Sequence, residues 1–396
     1  MIGFGSTSGL SFIKRGEMQD YFDRIAAISE KFEPFIKELG CGIKSTKMEL
    51  LMDPSLAYEF GLFSKQVDLD PMDERNLDCI RDSHGVFIMF PDPKGKGLGI
   101  VGYPTYPLAY RTMLQRAGDE CRTMLNWDTR KSCRALSAKE KMERLSNDFR
   151  LYEGRAKVLV RDGVCMIARS EDYVFLDAEE LVHELEDMLG NEHPEYEFVG
   201  GSASDDFLVA EYYLNEPLME EKVRGIIAPG SDKPLRSGIR FSTSDVGLSA
   251  VCVKAFYEYD KKRFTIGDGL YLPHYGDASV DKFKDMLPRV ENIFKDNEDI
   301  LEEMYLIKVS SVRGVLNKIL EKYSGSFPRE QANEVAAETD AGPGTAIDVY
   351  IALGDIAERV GKKSGPNKYL ALCDLVERLT KLPFGKIDSG EDWEKI

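Results

Sequence analysis

The chain of 396 residues has a formal net charge of −17, with 43% hydrophobic and 31% charged residues, a balance that fits a globular protein of two or three folding units. No apolar run approaches the ~20 residues of a membrane span, and residues 1–20 lack the basic-then-apolar order of a secretory signal. The seven cysteines are odd in number and never closer than 12 residues apart, which argues against a disulfide framework or zinc ribbon and for reduced thiols in a cytoplasm.

Taken in chain order, Lys14–Leu39 has helical period through Met18, Phe22, Ile25, Ile28, Phe32 and Phe35, with Gly40 and Gly42 as stop signals. A weaker helix is expected over Pro54–Phe63, so residues 1–83 read as a helical N-terminal cap, or as an arm that packs on a neighbouring subunit. His84–Phe90 and Ile100–Tyr103 are expected strands of a hairpin with a long Gly-rich loop. Pro107–Leu125 returns to helical period, and Ser137 with Glu140 offers a capping box for another helix.

Asp162-Gly163 inside AKVLVRDGVCMI is a strong two-residue hairpin signal. Asp177–Leu189 reads as an acidic amphipathic helix ended by Gly190, and Phe198–Leu214 holds strand-like residues. Leu235–Gly276 is the longest stretch of consecutive strands, its β-branched and aromatic runs punctuated by Gly238, Gly247, Gly267, Gly269 and Pro273. Helical stripes follow at Val280–Phe294, Ile300–Val309 and Val312–Tyr323. Residues 324–344 read as a polar linker, and helices at Thr345–Val360 and Tyr369–Lys381 close the pattern. The expected fold is α+β: the helical cap (1–83), a mixed, mainly antiparallel sheet domain (84–277), and a helical C-terminal region (278–396) over one sheet face.

Chemistry is sparse. Lys94–Gly99 (KGKGLG) is neither the dinucleotide fingerprint nor a P-loop, because its glycines alternate and a strand follows. It reads as a hairpin tip, or as a loop whose backbone N–H groups and lysines touch a phosphate backbone. His84, His183, His193 and His274 show no compact metal-ligand spacing, and no nucleophile elbow is present. No cofactor and no metal is expected.

The most informative local feature is a basic island. Residues 111–161 hold 13 Lys/Arg against seven Asp/Glu, a surplus of six positive charges that leaves −23 on the rest of the chain. Arg111, Arg116, Arg122, Arg130, Lys131, Arg134, Lys141, Arg144 and Arg150 are interleaved with Trp127, Phe149 and Tyr152. Cations beside aromatic faces suit single-stranded nucleic acid, the charges following phosphates while bases stack. The same island equally suits acidic regions of this chain or of another copy.

Four short motifs carry a family resemblance. They are Ala168-Arg169-Ser170-Glu171-Asp172-Tyr173 before Leu176-Asp177 and a helix; Phe241–Gly247 (FSTSDVG); Arg263–Gly269 (RFTIGDG) with His274-Tyr275-Gly276; and Ala346–Leu353 (AIDVYIAL) before a leucine-rich helix and Trp393. Together they resemble the "phage/plasmid-like protein" family, a domain of unknown function, over roughly residues 80–396. Thr243 and Asp268 stand where that family has asparagine, and its cysteine before the second motif glycine is absent. The family offers no catalytic residues to carry over. The resemblance implies a place near recombination or replication in a mobile element.

Three functions follow as expectations. The first is a host-cytoplasmic, homo-oligomeric protein of the annealing type that binds single-stranded DNA through the island. The second is a structural or host-interaction protein that assembles through it without catalysis. The third is a hydrolase built around His274 and Asp277.

Overall fold

The computed structural model describes residues 10–44, 50–52, 86–91, 100–106, 109, 153–204, 206–364 and 366–395. It opens with strand β1 (Leu10–Phe12) and helix α1 (Arg15–Ile28). Two compact units follow from the contacts: one spans Asp23–Val174, the other Phe175–Ile396 together with β1 and α1 up to Phe22.

In the first unit α1 ends at Ile28, well before the expected Leu39, because Ser29–Phe32 pairs as strand β2. Phe32 prolonged the helical spacing, yet its ring packs on Phe90 and Tyr103 at 5.3 and 5.9 Å between centroids. Strands β3 (Gly40–Lys44), β4 (Leu50–Met52), β5 (Val86–Pro91) and β6 (Ile100–Pro104) form a four-stranded antiparallel sheet in the order β4-β3-β5-β6. The stretch expected as a helical cap therefore also contributes strands. The β5–β6 hairpin forms where it was expected. The helices expected at Pro54–Phe63, at Pro107–Leu125 (Ala109 apart) and after Ser137 fall outside the described residues, as does the KGKGLG loop.

Strands β7 (Ala156–Arg161) and β8 (Val164–Ser170) pair antiparallel, with β2 on the other edge of β7. Asp162 and Gly163 turn the chain at φ +47° and +75°, the left-handed pair that a two-residue hairpin requires. Val158, Leu159, Val160 and Val164–Ile167 are buried around it.

The second unit begins with α2 (Ala178–Glu192), whose N-terminus is capped by Asp177 accepting from the Glu179 and Glu180 amides. Then come β9 (Glu197–Ser204), β10 (Phe207–Tyr213), α3 (Pro217–Ile227), β11 (Leu235–Thr243), β12 (Val251–Tyr259), β13 (Lys262–Thr265) and β14 (Leu270–Leu272). They build a seven-stranded antiparallel sheet, β1-β9-β10-β11-β12-β13, with β14 also on β12. Helices α4 (Val280–Met286) and α5 (Val290–Leu306), the short strand β15 (Lys308–Val309) and α6 (Val312–Lys322) follow. After them come α7 (Arg329–Glu338), β16 (Gly344–Thr345), α8 (Ala346–Ser364), α9 (Pro366–Arg378) and α10 (Phe384–Ser389). The protein is α+β, as its strand and helix signals implied.

Two expectations need correction. The 324–344 linker contains α7, which buries Ala332, Val335 and Ala336 at helical spacing. The C-terminal helices also reach both sheet faces, not one. On the apolar face, Phe283 of α4 meets Phe241 at 6.0 Å, and Phe294 of α5 meets Tyr257 at 6.0 Å. Side chains alternate along a strand, so Arg240 and Lys254 point to the opposite face, and there they meet α9.

Two glycines allow close approach. At Gly354 on α8 a Cβ would lie 2.7 Å from Phe264 Cβ, so the helix can run against β13, where Tyr350 donates to the Thr265 carbonyl at 2.7 Å. Gly267 sits at φ +78°, and a Cβ there would fall 1.8 Å from Oδ1 of the fully buried Asn297. Gly267→Ala should therefore cost about 2–4 kcal/mol, from the left-handed backbone plus the forced repacking. An unchanged urea midpoint would contradict this.

Candidate functional site

The second unit concentrates its buried charge on the sheet face opposite the aromatic core. In register across three strands stand Glu211 (β10), Arg240 (β11) and Lys254 (β12). Beside them, Ser242 faces Cys252, which faces Tyr271 of β14. Arg240 is 2% exposed and Lys254 6% exposed. Charges so buried persist only when paired and hydrogen-bonded.

The pairing is thorough. Arg240 donates from Nε to Glu211 at 2.6 Å and from one terminal nitrogen to Thr265 Oγ1 at 2.9 Å and Cys373 Sγ at 3.3 Å. Its other terminal nitrogen donates to Glu358 at 3.1 Å and to the Tyr369 hydroxyl. The second Glu211 oxygen accepts from Arg263 at 2.5 Å, and Arg263 also reaches Tyr213 and Glu258, each at 3.1 Å. Phe256 lies beneath the Arg263 guanidinium at 4.6 Å, and Tyr369 beneath that of Arg240 at 4.4 Å. Lys254 donates to Asp374 at 2.7 Å and Glu377 at 2.5 Å, with the Tyr271 ring 5.4 Å away.

Burial alone would raise the Glu211 carboxyl, but the two guanidiniums outweigh it and hold the carboxyl below its ordinary 4.5. Burial likewise disfavours the charged forms of Arg240 and Lys254, and their carboxylate partners reverse this, so both are held cationic more firmly than usual. Glu377 is raised, since its burial exceeds the help from Lys254. Cys252 and Cys373 are pushed up to about 12, chiefly by burial, so both thiols stay protonated at neutral pH and are poor nucleophiles. Burial also lifts the Tyr271 phenol to about 12.

A pH dependence follows from Glu211. Its folded carboxyl titrates below the unfolded value of 4.5, so its stabilisation is present above that pH and is lost as pH falls through the folded value. Glu377, shifted the other way, stabilises most below 4.5 and loses that contribution as pH rises. The part of any fall in the urea midpoint below about pH 4.5 that comes from Glu211 should therefore be missing in Glu211→Gln, which should show a shallower slope there than the parent. Equal slopes would show that Glu211 does not contribute.

Beside this network lies a cavity of about 520 Å³ between the N-terminal half of α9 and the sheet end. Phe207, Leu248, Ala250, Leu370 and Ala371 form its apolar wall; Arg240, Ser242, Ser249, Lys254, Tyr271 and Asp374 supply polar groups.

The twelve residues expected to bind nucleic acid, Arg111 through Tyr152, lie outside the described residues. Three other cations of the island are described. Arg161 is buried and donates to Ser29 Oγ at 3.0 Å, and Lys157 is half-buried on β7. Arg155 is exposed, its guanidinium 4.0 Å above the ring of Phe35, itself 46% exposed.

Of the histidines, His183 is exposed on α2, and His193 Nδ1 lies 2.9 Å from Glu216. His274 is 2% exposed, while the Asp277 carboxylate sits exposed against Lys282. His84 is outside the described residues. No group of three His, Cys, Asp or Glu side chains is placed to hold a metal among the described residues.

Three of the four family-like motifs lie in the second unit, on positions that hold it together, while Ala168–Tyr173 lies in the first. Ser244 Oγ donates to the Asp206 carbonyl and accepts from the Leu248 amide, Arg263 belongs to the ion network, and Tyr350 ties α8 to β13. Sequence reasoning missed the network itself. Its one visible signal was a cation centred in an otherwise apolar strand, Arg240 in GIRFST and Lys254 in VCVKAF. Comparison with protein-family models, with curated proteins and with solved structures finds no match. Among the described residues no helix is long and apolar enough to cross a membrane.

Proposed function

We propose that the protein binds single-stranded nucleic acid through residues 111–161. It would act as a homo-oligomer of the annealing type in the cytoplasm of a host cell, as the motifs resembling the phage/plasmid-like family suggest. The observation that carries the reading is charge segregation: six surplus positive charges, with four aromatics interleaved (Tyr110 included), in a chain that is −23 elsewhere. Two features of the described residues support it. The buried cations of the second unit are committed to carboxylates. At the end of the island, Arg155 and Phe35 present a flat cation–aromatic pair, the kind of surface on which bases stack.

The test is fluorescence anisotropy of a labelled 30-mer of dT against the full chain at increasing salt. Binding at ~50 mM salt that weakens steeply is expected, and no binding at that salt removes the proposal. The same segregation of charge favours a second reading, pairing between copies without nucleic acid. Sedimentation at low and high salt separates the two, since charge-mediated assembly alone dissociates as salt rises.

A further inference from the structure

We propose that the strands of the first unit close into a Greek-key barrel of the oligonucleotide-binding type, and that single-stranded nucleic acid crosses its β5–β6 face. The barrel stands on strand pairing alone, while its ligand rests on the nucleic-acid binding proposed for residues 111–161.

Pairing fixes the order of the strands. Residues 29–44 act as one bent strand. Ser29–Phe32 (β2) pairs with β7, and the pairing continues with Phe35 opposite Arg155 and the Ile36 amide on the Gly154 carbonyl. After the bend, Gly40–Ile43 of β3 pairs with β5. β5 pairs antiparallel with β6, and β7 with β8. A parallel contact completes the circle: Thr105, directly after β6, lies opposite Cys165 of β8, and the Tyr106 amide donates to the Cys165 carbonyl at 2.8 Å. With the bent strand first, then β5, β6, β7 and β8, the order around the barrel is 1-2-3-5-4-1, antiparallel except between the third and fifth. This is a five-stranded Greek-key barrel, with β4 added beside β3.

The aromatic core shows that the sheet closes. Neighbouring strands lie about 4.8 Å apart, so a flat sheet in the order β2-β7-β8-β6 would set β2 about 14 Å from β6. Instead Phe32 of β2 packs on Phe90 of β5 and Tyr103 of β6, at 5.3 and 5.9 Å between centroids. Phe90 and Tyr103 meet at 5.8 Å. Phe32, Ile88 and Phe90 are each no more than 6% exposed. Only a sheet curled onto itself brings these three strands together around one apolar centre.

Barrels of this type take oligonucleotides or oligosaccharides on the face of their second and third strands, here β5 and β6. Charge chooses between the two. The basic island occupies the connection from β6 to β7 and β7 itself, so this barrel carries the six surplus positive charges. A neutral sugar has no use for them; a phosphate backbone does. Gly102 marks the face. It is half-buried and adjoins Tyr103, whose ring lies in the core, so alternation turns a side chain introduced at 102 to the outside.

The experiment is ultraviolet cross-linking of the full chain to the 30-mer of dT, with the adducts located by mass spectrometry. It is paired with anisotropy of Gly102→Glu and Gly102→Lys. Adducts within residues 86–104 are expected. The two variants should differ about tenfold in affinity at ~50 mM salt, the lysine form binding more tightly, and the gap should narrow as salt rises. A general folding defect would weaken both alike and lower both melting temperatures, so the difference between them reports the face. Adducts confined to residues 111–152 or to the second unit, or equal affinities for the two folded variants, would overturn the barrel face while leaving the island as the binding segment. Absence of any oligonucleotide binding would remove both, as would saturable binding of maltohexaose in its place.

Discussion

Replacing Arg240 by alanine should lower the unfolding free energy by about 3–5 kcal/mol, a large share of the ~5–15 kcal/mol that holds a typical domain together. The guanidinium is 2% exposed and bridges three strands and two helices through Glu211, Thr265, Cys373, Glu358 and Tyr369. Without it, Glu211 loses one of its two guanidiniums and Glu358 loses an ion pair of 3.1 Å, in a site that water reaches poorly. The cost lies in stranding buried charge more than in losing attraction, which sets the control. Arg240→Met combined with Glu211→Gln and Glu358→Gln removes both signs of charge, and should recover a good part of the loss. Urea unfolding followed by circular dichroism at neutral pH measures both proteins. A loss below ~1 kcal/mol for Arg240→Ala, the size of a surface pair, would show that the network is solvated and dispensable.

The legible and illegible parts of this chain divide on sequence separation. The Asp162-Gly163 hairpin could be read because its constraint is local: only residues that tolerate positive φ fit a two-residue loop. The β12–β13 hairpin makes a similar turn at Asp260 and Lys261, φ +51° and +67°, without a glycine, so the usual signal was missing. Helix α1 was read too long because Phe32 satisfies the helical and the strand period alike, and pairing with β7, more than a hundred residues away, decided the outcome. Helix α7 was lost among glycines and prolines, its stripe of Ala332, Val335 and Ala336 being short and small. The strand signals at Leu235–Gly276 were sound, and that stretch does form β11–β14, four of the sheet's seven strands. What it could not show was that Arg240 and Lys254 share a face with each other and meet α9, since their partners there are 120–133 residues distant. A strand's sequence tells which residues share a face; only the register and the covering helix tell what they touch.

Substitution within the basic island should split nucleic-acid affinity into two measurable parts. Each phosphate contact on a single strand contributes about −0.7 to the slope of log affinity against log salt. A site that engages about five phosphates then weakens roughly 100-fold between ~50 and ~200 mM salt. The triple substitution Arg130→Ala, Lys131→Ala, Arg134→Ala removes the cations next to Trp127 and should flatten that slope by about 2. Trp127→Ala should instead cost about 1–3 kcal/mol per stacked base and leave the slope unchanged, because stacking releases no counterions. The separation matters because an acidic surface on a second copy would also respond to the triple substitution and to salt. It has no reason to need the indole face. A salt-dependent loss with the arginines, combined with a salt-independent loss with the tryptophan, identifies an oligonucleotide laid along the segment with its bases stacked. If Trp127→Ala binds as tightly as the parent while the triple substitution does not, the island acts by charge alone, and pairing with an acidic partner becomes the better account of it.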